Sequence, residues 1–347
     1  MGDQAGSAEH PRSKKGDDVM FKKNLTRRQF VKTAGAGIAA MGLFGQIPGL
    51  AWAAKNYTFG SASASGSWYP LSVAMAKVIN DNVPGYNVTG VTTPGASREN
   101  VLRIDRKEME LGWSTASILY KAYNGMDPFK EKKKVKGWFA AYPGLFTIAV
   151  RKSLGISDVS QLKGKKVALG TPGSMTMMDN VNLIFKNCGI EADKDLKPEY
   201  IRFPDAVQKM IDGHIDACSY FMGIGVPGYV QLAESADVVF LAIPKKVQYK
   251  ILKQDPAYFI GEIPAGTYKG QDKTVPAAGM AYTLACGASL SDEFIYKATK
   301  AVFENLPFIT NASANFKQTK LAKVYKGMPV PVHPGAAKYF KEKGVTP

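Results

Sequence analysis

Two short stretches combine residue types suited to holding a solute rather than transforming it. They are Ser61-Ala62-Ser63-Ala64-Ser65-Gly66-Ser67-Trp68-Tyr69-Pro70 and Gly170-Thr171-Pro172-Gly173-Ser174-Met175-Thr176. Each places hydroxyls among tiny residues, between a strand-like and a helix-like segment. Small side chains let the backbone come close to a solute, and the first turn of a helix offers unpaired N–H groups that suit a carboxylate without a side-chain cation. Either turn alone reads nearly as well as a plain tight turn. Two of them in matching positions of two similar halves point to binding of a small organic acid.

The residues expected to touch that acid are Ser63, Ser65, Gly66, Ser67, Trp68 and Tyr69 from the first turn, and Thr171, Gly173, Ser174, Met175 and Thr176 from the second. Ser97, Arg98, Asn100 and Ser114 extend the candidate set. Arg98 reads equally as a carboxylate clamp and as a surface arginine. Tyr142 and Tyr220 are candidate walls, whereas Trp113 reads as core. Catalytic signatures are missing: there is no Gly-x-Ser-x-Gly elbow and no Cys/His pair. The first turn lacks GxGxxG spacing and the second lacks a Lys-Ser/Thr ending, which argues against nucleotides. Cys188, Cys218 and Cys286 are widely spaced and odd in number, so they read as buried thiols, with a Cys188–Cys218 bridge left open. His214 and His333 lack metal-ligand spacing. The expectation is a binding protein with no metal and no cofactor, not an enzyme.

The elements that must position these turns alternate in type. A strand at Tyr57–Phe59 precedes the first turn, and a helix from Pro70 carries Leu71, Ala74, Met75, Val78 and Ile79 at one-faced spacing. A strand at Asn87–Val91, a helix to Lys107, a strand at Glu110–Ser114 and a helix to Tyr123 follow. The second half repeats the plan with a strand at Lys166–Gly170, a helix with Met178, Val181, Ile184, Phe185 and Cys188 on one face, a strand at Glu199–Phe203, a helix at Pro204–Asp212 and a strand at Ile215–Phe221. Such alternation signals parallel sheets covered by helices. Val101, Ile104, Met109 and Glu110 share their spacing with Val207, Met210, Ile215 and Asp216, a faint internal echo. Apolar segments Leu145–Val150 and Ala277–Cys286 fall where the chain would cross twice between halves, and Ser291 is placed to cap a helix to Asn305. The resulting layout is residues 55–145 with 287–347 as one lobe and 146–286 as the other.

The compartment is read from the first 54 residues. Arg27-Arg28, then Phe30 and Lys32, precede a weakly apolar, glycine-rich stretch, which is the twin-arginine export pattern. Ala51-Trp52-Ala53 supplies a cleavage site near Ala53, and Met20 as the start would give the leader an ordinary length. The chain is 347 residues long with net charge +16; the first 53 residues contribute +4, leaving +12 beyond them. The run Lys130-Glu131-Lys132-Lys133-Lys134 lacks interleaved aromatics and reads as a solvated face, so no nucleic-acid partner is expected. A monomeric protein in the periplasm is the expectation.

Together these segments resemble the TAXI family, the solute receptors of one class of tripartite ATP-independent periplasmic (TRAP) transporters. The resemblance runs from about Tyr57 to Val345 and is carried by Ile263-Pro264-Ala265-Gly266-Thr267-Tyr268-Lys269-Gly270-Gln271-Asp272, Trp68-Tyr69-Pro70, Ala122-Tyr123-Asn124-Gly125, Leu162-Lys163-Gly164-Lys165-Lys166-Val167, Phe303-Glu304-Asn305-Leu306 and Val332-His333-Pro334-Gly335-Ala336-Ala337. It implies an α/β, type II-like periplasmic binding protein whose two discontinuous lobes close on a hinge around glutamate-like, 2-oxo or dicarboxylic acids. It also implies delivery to integral-membrane TRAP subunits driven by an ion gradient. Departures fall in the turns: Trp68 and Met175 are bulkier than the family's residues, which points to a more apolar solute. The alternatives are the binding protein of an ABC importer, an exported enzyme, or a surface antigen or sensor subunit.

Overall fold

The computed structural model describes residues 54–64 and 66–347. The twin-arginine segment with Arg27, Arg28, Phe30 and Lys32, the cleavage site near Ala53, and Ser65 lie outside the described residues. The strands are β1 Lys55–Gly60, β2 Tyr86–Val91, β3 Leu111–Thr115, β4 Val135–Arg151, β5 Lys166–Ala168, β6 Lys197–Glu199, β7 Ala217–Gly223, β8 Val238–Leu241, β9 Tyr258–Ile263 and β10 Val275–Gly287. They hydrogen-bond in the order β2-β1-β3-β10-β4-β7-β5-β6, with β8 beside β4 and β9 beside β10. Within each half the outer strands are parallel: β1 with β2 and β3, and β5 with β6 and β7. The two central strands are antiparallel to their neighbours.

Those central strands make one sheet out of two halves. β4 pairs with β10 through Val135–Leu145, then with β7 through Gly144–Val150. β10 pairs with β9 through Val275–Met280 and with β3 through Tyr282–Cys286. The expected crossings were Leu145–Val150 and Ala277–Cys286; β4 is longer because Val135–Gly144 also pairs with β10, and β10 is longer chiefly because Val275 and Pro276 pair with β9. At the hand-off, Gly144 admits the Phe221 ring so closely that a Cβ there would lie 2.5 Å from it. The two-lobed α/β architecture expected from the sequence is the one found.

The internal echo has a structural counterpart. Glu110, just before β3, accepts a hydrogen bond from the Thr58 N–H of β1 at 2.7 Å. Asp216, just before β7, accepts from the Lys166 N–H of β5 at 2.8 Å. Each half also uses a buried asparagine to tie the end of its first strand to its third, though from different helices. Asn100 Nδ2 donates to Ser61 O and Trp113 O, both at 2.8 Å. Asn180 Nδ2 donates to Leu169 O at 3.0 Å and Ser219 O at 2.8 Å.

The second-half helix departs from its expected face. It runs as an α turn Met175–Asp179, a π turn Asn180–Ile184 and a short α turn Phe185–Asn187. The inserted residue rotates Asp179 and Asn180 inward with Leu183 and Ile184, while Met178, Val181 and Cys188 are only half-buried. At the other end of the chain Ser291 caps the helix Asp292–Glu304 by accepting from Phe294 N–H, as its spacing suggested. All three cysteines are free, so the bridge left open between Cys188 and Cys218 is not formed. His333 is structural: Nε2 contacts the Leu290 carbonyl at 3.1 Å, which can only accept, and Nδ1 accepts from Gly335 N–H at 3.3 Å. Among the described residues no helix is long and apolar enough to cross a membrane.

Candidate functional site

The turn after β1 and the turn after β5 line one cleft of about 1000 Å³. Ser63, Gly66, Ser67 and Pro70 come from the first, and Gly170, Thr171, Ser174 and Thr176 from the second. Gly170 is the residue that makes the second turn feasible. Its φ is +109°, and a Cβ there would meet Met177 N at 2.9 Å.

The side chains of these turns divide by what they already hold. Ser174 donates its hydroxyl to Thr171 O at 2.7 Å and accepts from Met177 N–H at 3.2 Å, so it caps the helix start as well as lining the cleft. Ser67 begins the helix Trp68–Asn82 without a side-chain capping bond. Gly173 is exposed beside the cleft, with open space around its Cα. Met175 is half-buried and packs against two apolar clusters, one that runs through both halves and one confined to the first.

The aromatic residues sort differently from expectation. Tyr220 lines the cleft, with its hydroxyl donated to Ile201 O at 2.7 Å and pushed well above its ordinary pKa by burial. Trp68, expected to touch the solute, instead stacks on Trp113 at 5.4 Å and 13° and is 8% exposed. Its flat face finds more apolar contact there than in the open cleft. Tyr69 is half-buried outside the cleft lining. Tyr142 is buried beneath Ser67 and Trp68, and burial pushes its hydroxyl up to about 12.

The first half's other candidates are brought near the turn but not into the cleft lining. Ser97 accepts from Thr115 N–H at 3.2 Å, Asn100 ties two carbonyls, and Ser114 donates to Thr115 O at 3.2 Å. These hydroxyl and amide groups satisfy buried backbone. Arg98 is exposed at the start of the helix Ala96–Asp105 and lies outside the cleft lining.

Sequence reasoning missed three parts of the lining. Arg202, Phe203 and Pro204 open the helix Phe203–Ile211, and Gly225 to Gly228 open the helix Pro227–Ser235. Ser313, Ala314 and Asn315 close the rim from the tail. The proline in the first turn of both helices was the available signal, the same one that located Pro70. Phe203 lies against Gly228, where a Cβ would stand 2.5 Å from the ring. Arg202 supplies the cleft's cation, already shared with Asp205 through contacts of 2.9 and 3.2 Å. The remaining polar lining is neutral, from Gln208, Gln231, Asn315 and the hydroxyls, and the other lining residues include Phe203, Val207, Met222 and Val226. Among the described residues no cluster of His, Cys, Asp and Glu could hold a metal. Such a surface can accept, orient and desolvate an oxygen-bearing solute.

Solved structures similar to this chain include the periplasmic aliphatic sulphonate binding protein SsuA from Escherichia coli, at 16% identity, covering 83% of this chain and 78% of that one, with a TM-score of 0.46. Another is PhnD1 from Prochlorococcus marinus in complex with methylphosphonate, at 13% identity, 79% and 96% coverage and a TM-score of 0.48. Residues 59–344 match the NMT1-like family. This match corrects the TAXI and TRAP assignment drawn from short motifs. The longest of those motifs, Ile263 to Asp272, is the connection between β9 and β10, stitched by Gln271 Nε2 to Pro264 O and Lys273 O. Its residues report a turn geometry and say nothing about which membrane machinery receives the solute. With the match spanning nearly all of the described residues, the chain belongs to the NMT1-like family.

Proposed function

We propose that this protein is an extracytoplasmic solute receptor that closes its two lobes on a small oxyanion-bearing solute and delivers it to an ABC-type importer in the membrane. One observation carries the reading: two glycine- and hydroxyl-rich turns, from opposite halves of the sheet, line the same cleft. The lobes in this proposal are residues 55–145 with 287–347 and residues 146–286, hinged where β4 and β10 cross. Export through the twin-arginine leader would place the receptor outside the cytoplasm. The mostly neutral lining favours a solute with one acidic group and an apolar body, such as a monocarboxylate, sulfonate or phosphonate.

Closure follows from where the contacts are. A solute touching both turns makes its full set of interactions only when the lobes approach, so it stabilises the closed form by the difference in affinity between the two states. Small-angle scattering of the mature protein with ethanesulfonate, methylphosphonate or benzoate should show a smaller radius of gyration at saturation. An unchanged radius with a bound probe would overturn hinge closure. Recovery of membrane partners with an associated ATPase tests the importer class.

Ser174→Trp would block the cleft but also remove a helix cap worth about 1 kcal/mol, mixing two effects. Thr171→Trp is cleaner. It is expected to leave the unliganded melting temperature within about 2 °C of wild type and to abolish any probe-induced rise. A retained rise would place the solute elsewhere.

A further inference from the structure

Trp113 and Thr115 lie two residues apart on β3 and therefore share a face. On the neighbouring strands Tyr282 stands opposite Thr115, and Tyr142 stands opposite Tyr282. Three polar atoms in this small area have no hydrogen-bond partner among the described residues: Trp113 Nε1, Thr115 Oγ1 and the Tyr142 hydroxyl. Their residues are 0%, 1% and 3% exposed. Above them sits the first turn of the candidate site. The Tyr142 hydroxyl lies close to the Ser67 and Trp68 side chains, though outside hydrogen-bond geometry, and Ser67 itself lines the cleft. Trp68 and Phe316 cover the rest, Trp68 stacked on Trp113 and Phe316 edge-on to Trp113 and Tyr142.

An unmade buried hydrogen bond costs stability, and a fold that keeps three together has a use for them. All three groups can donate, and the indole can only donate. The rings that cover them, Trp68 and Phe316, carry no charge.

We propose that this patch is a second recognition layer beneath the cleft, in which Trp113 Nε1–H, Thr115 O–H and Tyr142 O–H donate to the oxygens of the solute's head group. Rearrangement of the turn at Gly66 and Ser67 and of the Trp68 indole opens it. The inference rests on the cleft being the solute site. It assigns selectivity to neutral donors, so the head group is chosen by the placing of its acceptor oxygens rather than by its charge. Carboxylate, sulfonate and phosphonate share that chemistry.

Thermal unfolding of the full mature chain tests this with wild type, Tyr142→Phe and Thr115→Val, each alone and with sodium benzoate, ethanesulfonate or methylphosphonate. Both variants delete a group that has no hydrogen-bond partner among the described residues and leave the packed volume nearly unchanged. Without a probe, each is expected to melt about 2 °C above wild type. With the probe that shifts wild type, each variant should bind at least about tenfold more weakly. The three probes separate the head-group sources by which one shifts wild type and fails on the variants. Variants that melt below wild type overturn the proposal, because the groups are then bonded within the fold or to buried water. Variants that melt higher but keep the full probe shift overturn it too. If no probe moves wild type, the cleft reading loses its support, while the probe-free melting order still decides whether these three groups are held unmade.

Discussion

Trp138→Ala is expected to lower the stability of the mature protein by about 4 kcal/mol, the cost of emptying a buried indole site. Trp138 lies on β4 in the first half and is 0% exposed. Its ring packs against Phe59 at 5.9 Å and Phe139 at 5.1 Å between centroids. Its Nε1–H donates to Thr299 Oγ1 at 2.8 Å, and the Thr299 hydroxyl donates to Ile295 O at 2.5 Å, so the indole pins the helix Asp292–Glu304 to the crossing strand. Truncation leaves a void bounded by β1, β4 and that helix, and the two strands cannot move in without breaking their pairing. Trp138→Phe keeps most of the volume and loses the hydrogen bond, for about 1–2 kcal/mol. Urea unfolding followed by circular dichroism reads both values. A Trp138→Ala loss below about 1.5 kcal/mol, or equal losses for the two variants, would show that the indole does not hold this junction.

Trp138 also shows which features of the fold were legible. Local signals were read well: Ser291 capping its helix and the one-faced helix after the first turn both depend on near neighbours. The first half of β4 went unread because Val135 to Tyr142 gains its strand character from β10, more than a hundred residues away. Length and order of the central strands are therefore tertiary facts. So is the π turn, since nothing local announces that Asp179 and Asn180 face inward.

The candidate site divides the same way. Thr171, Ser174, Thr176, Ser63, Gly66 and Ser67 reach the cleft lining because strand–turn–helix grammar places them at a sheet's edge whatever the rest of the chain does. Ser97, Asn100 and Ser114 resemble them in type, yet they bond to buried backbone. A serine that binds a solute and a serine that satisfies a carbonyl look alike until the partner carbonyl is placed. Trp68 lies outside the cleft lining for a related reason. The stacking partner that draws it out of the cleft, Trp113, is on a strand whose register with the first turn only the folded sheet defines. Arg202 escaped because its helix was read from Pro204 onward, one residue too late to place the cation at its start.

Asp179→Asn is expected to stabilise the protein near neutral pH while changing little near pH 4. Asp179 is 6% exposed and accepts a hydrogen bond from the Tyr258 hydroxyl at 2.6 Å. Asp255 and Lys121 are its charged neighbours, and Asp255 is in turn bonded by the Ser117 hydroxyl and lies 3.4 Å from Lys121 Nζ. The group thus joins the helix Ala116–Asn124 of one half to Asp179, Asp255 and Tyr258 of the other. Burial raises the Asp179 carboxyl from 3.8 to about 6, against the lowering effects of Tyr258 and Lys121, with Asp255 raising it further. Because the folded value lies above the unfolded one, the folded state holds the proton longer, and stability falls as pH rises between about 3.8 and about 6. A shift of roughly two units corresponds to about 3 kcal/mol lost by pH 7, at about 1.4 kcal/mol per unit. An asparagine keeps an acceptor for Tyr258 and never ionises, so the variant should escape that loss. The quantity to measure is the difference in unfolding free energy, variant minus wild type, from urea titrations at several pH values. It should rise from near its acid plateau at pH 4 to a new plateau above pH 6.5, about 3 kcal/mol higher. A difference that stays flat across this range would mean that Asp179 is ionised in the folded state at all these pH values, with Lys121 rather than a proton neutralising it.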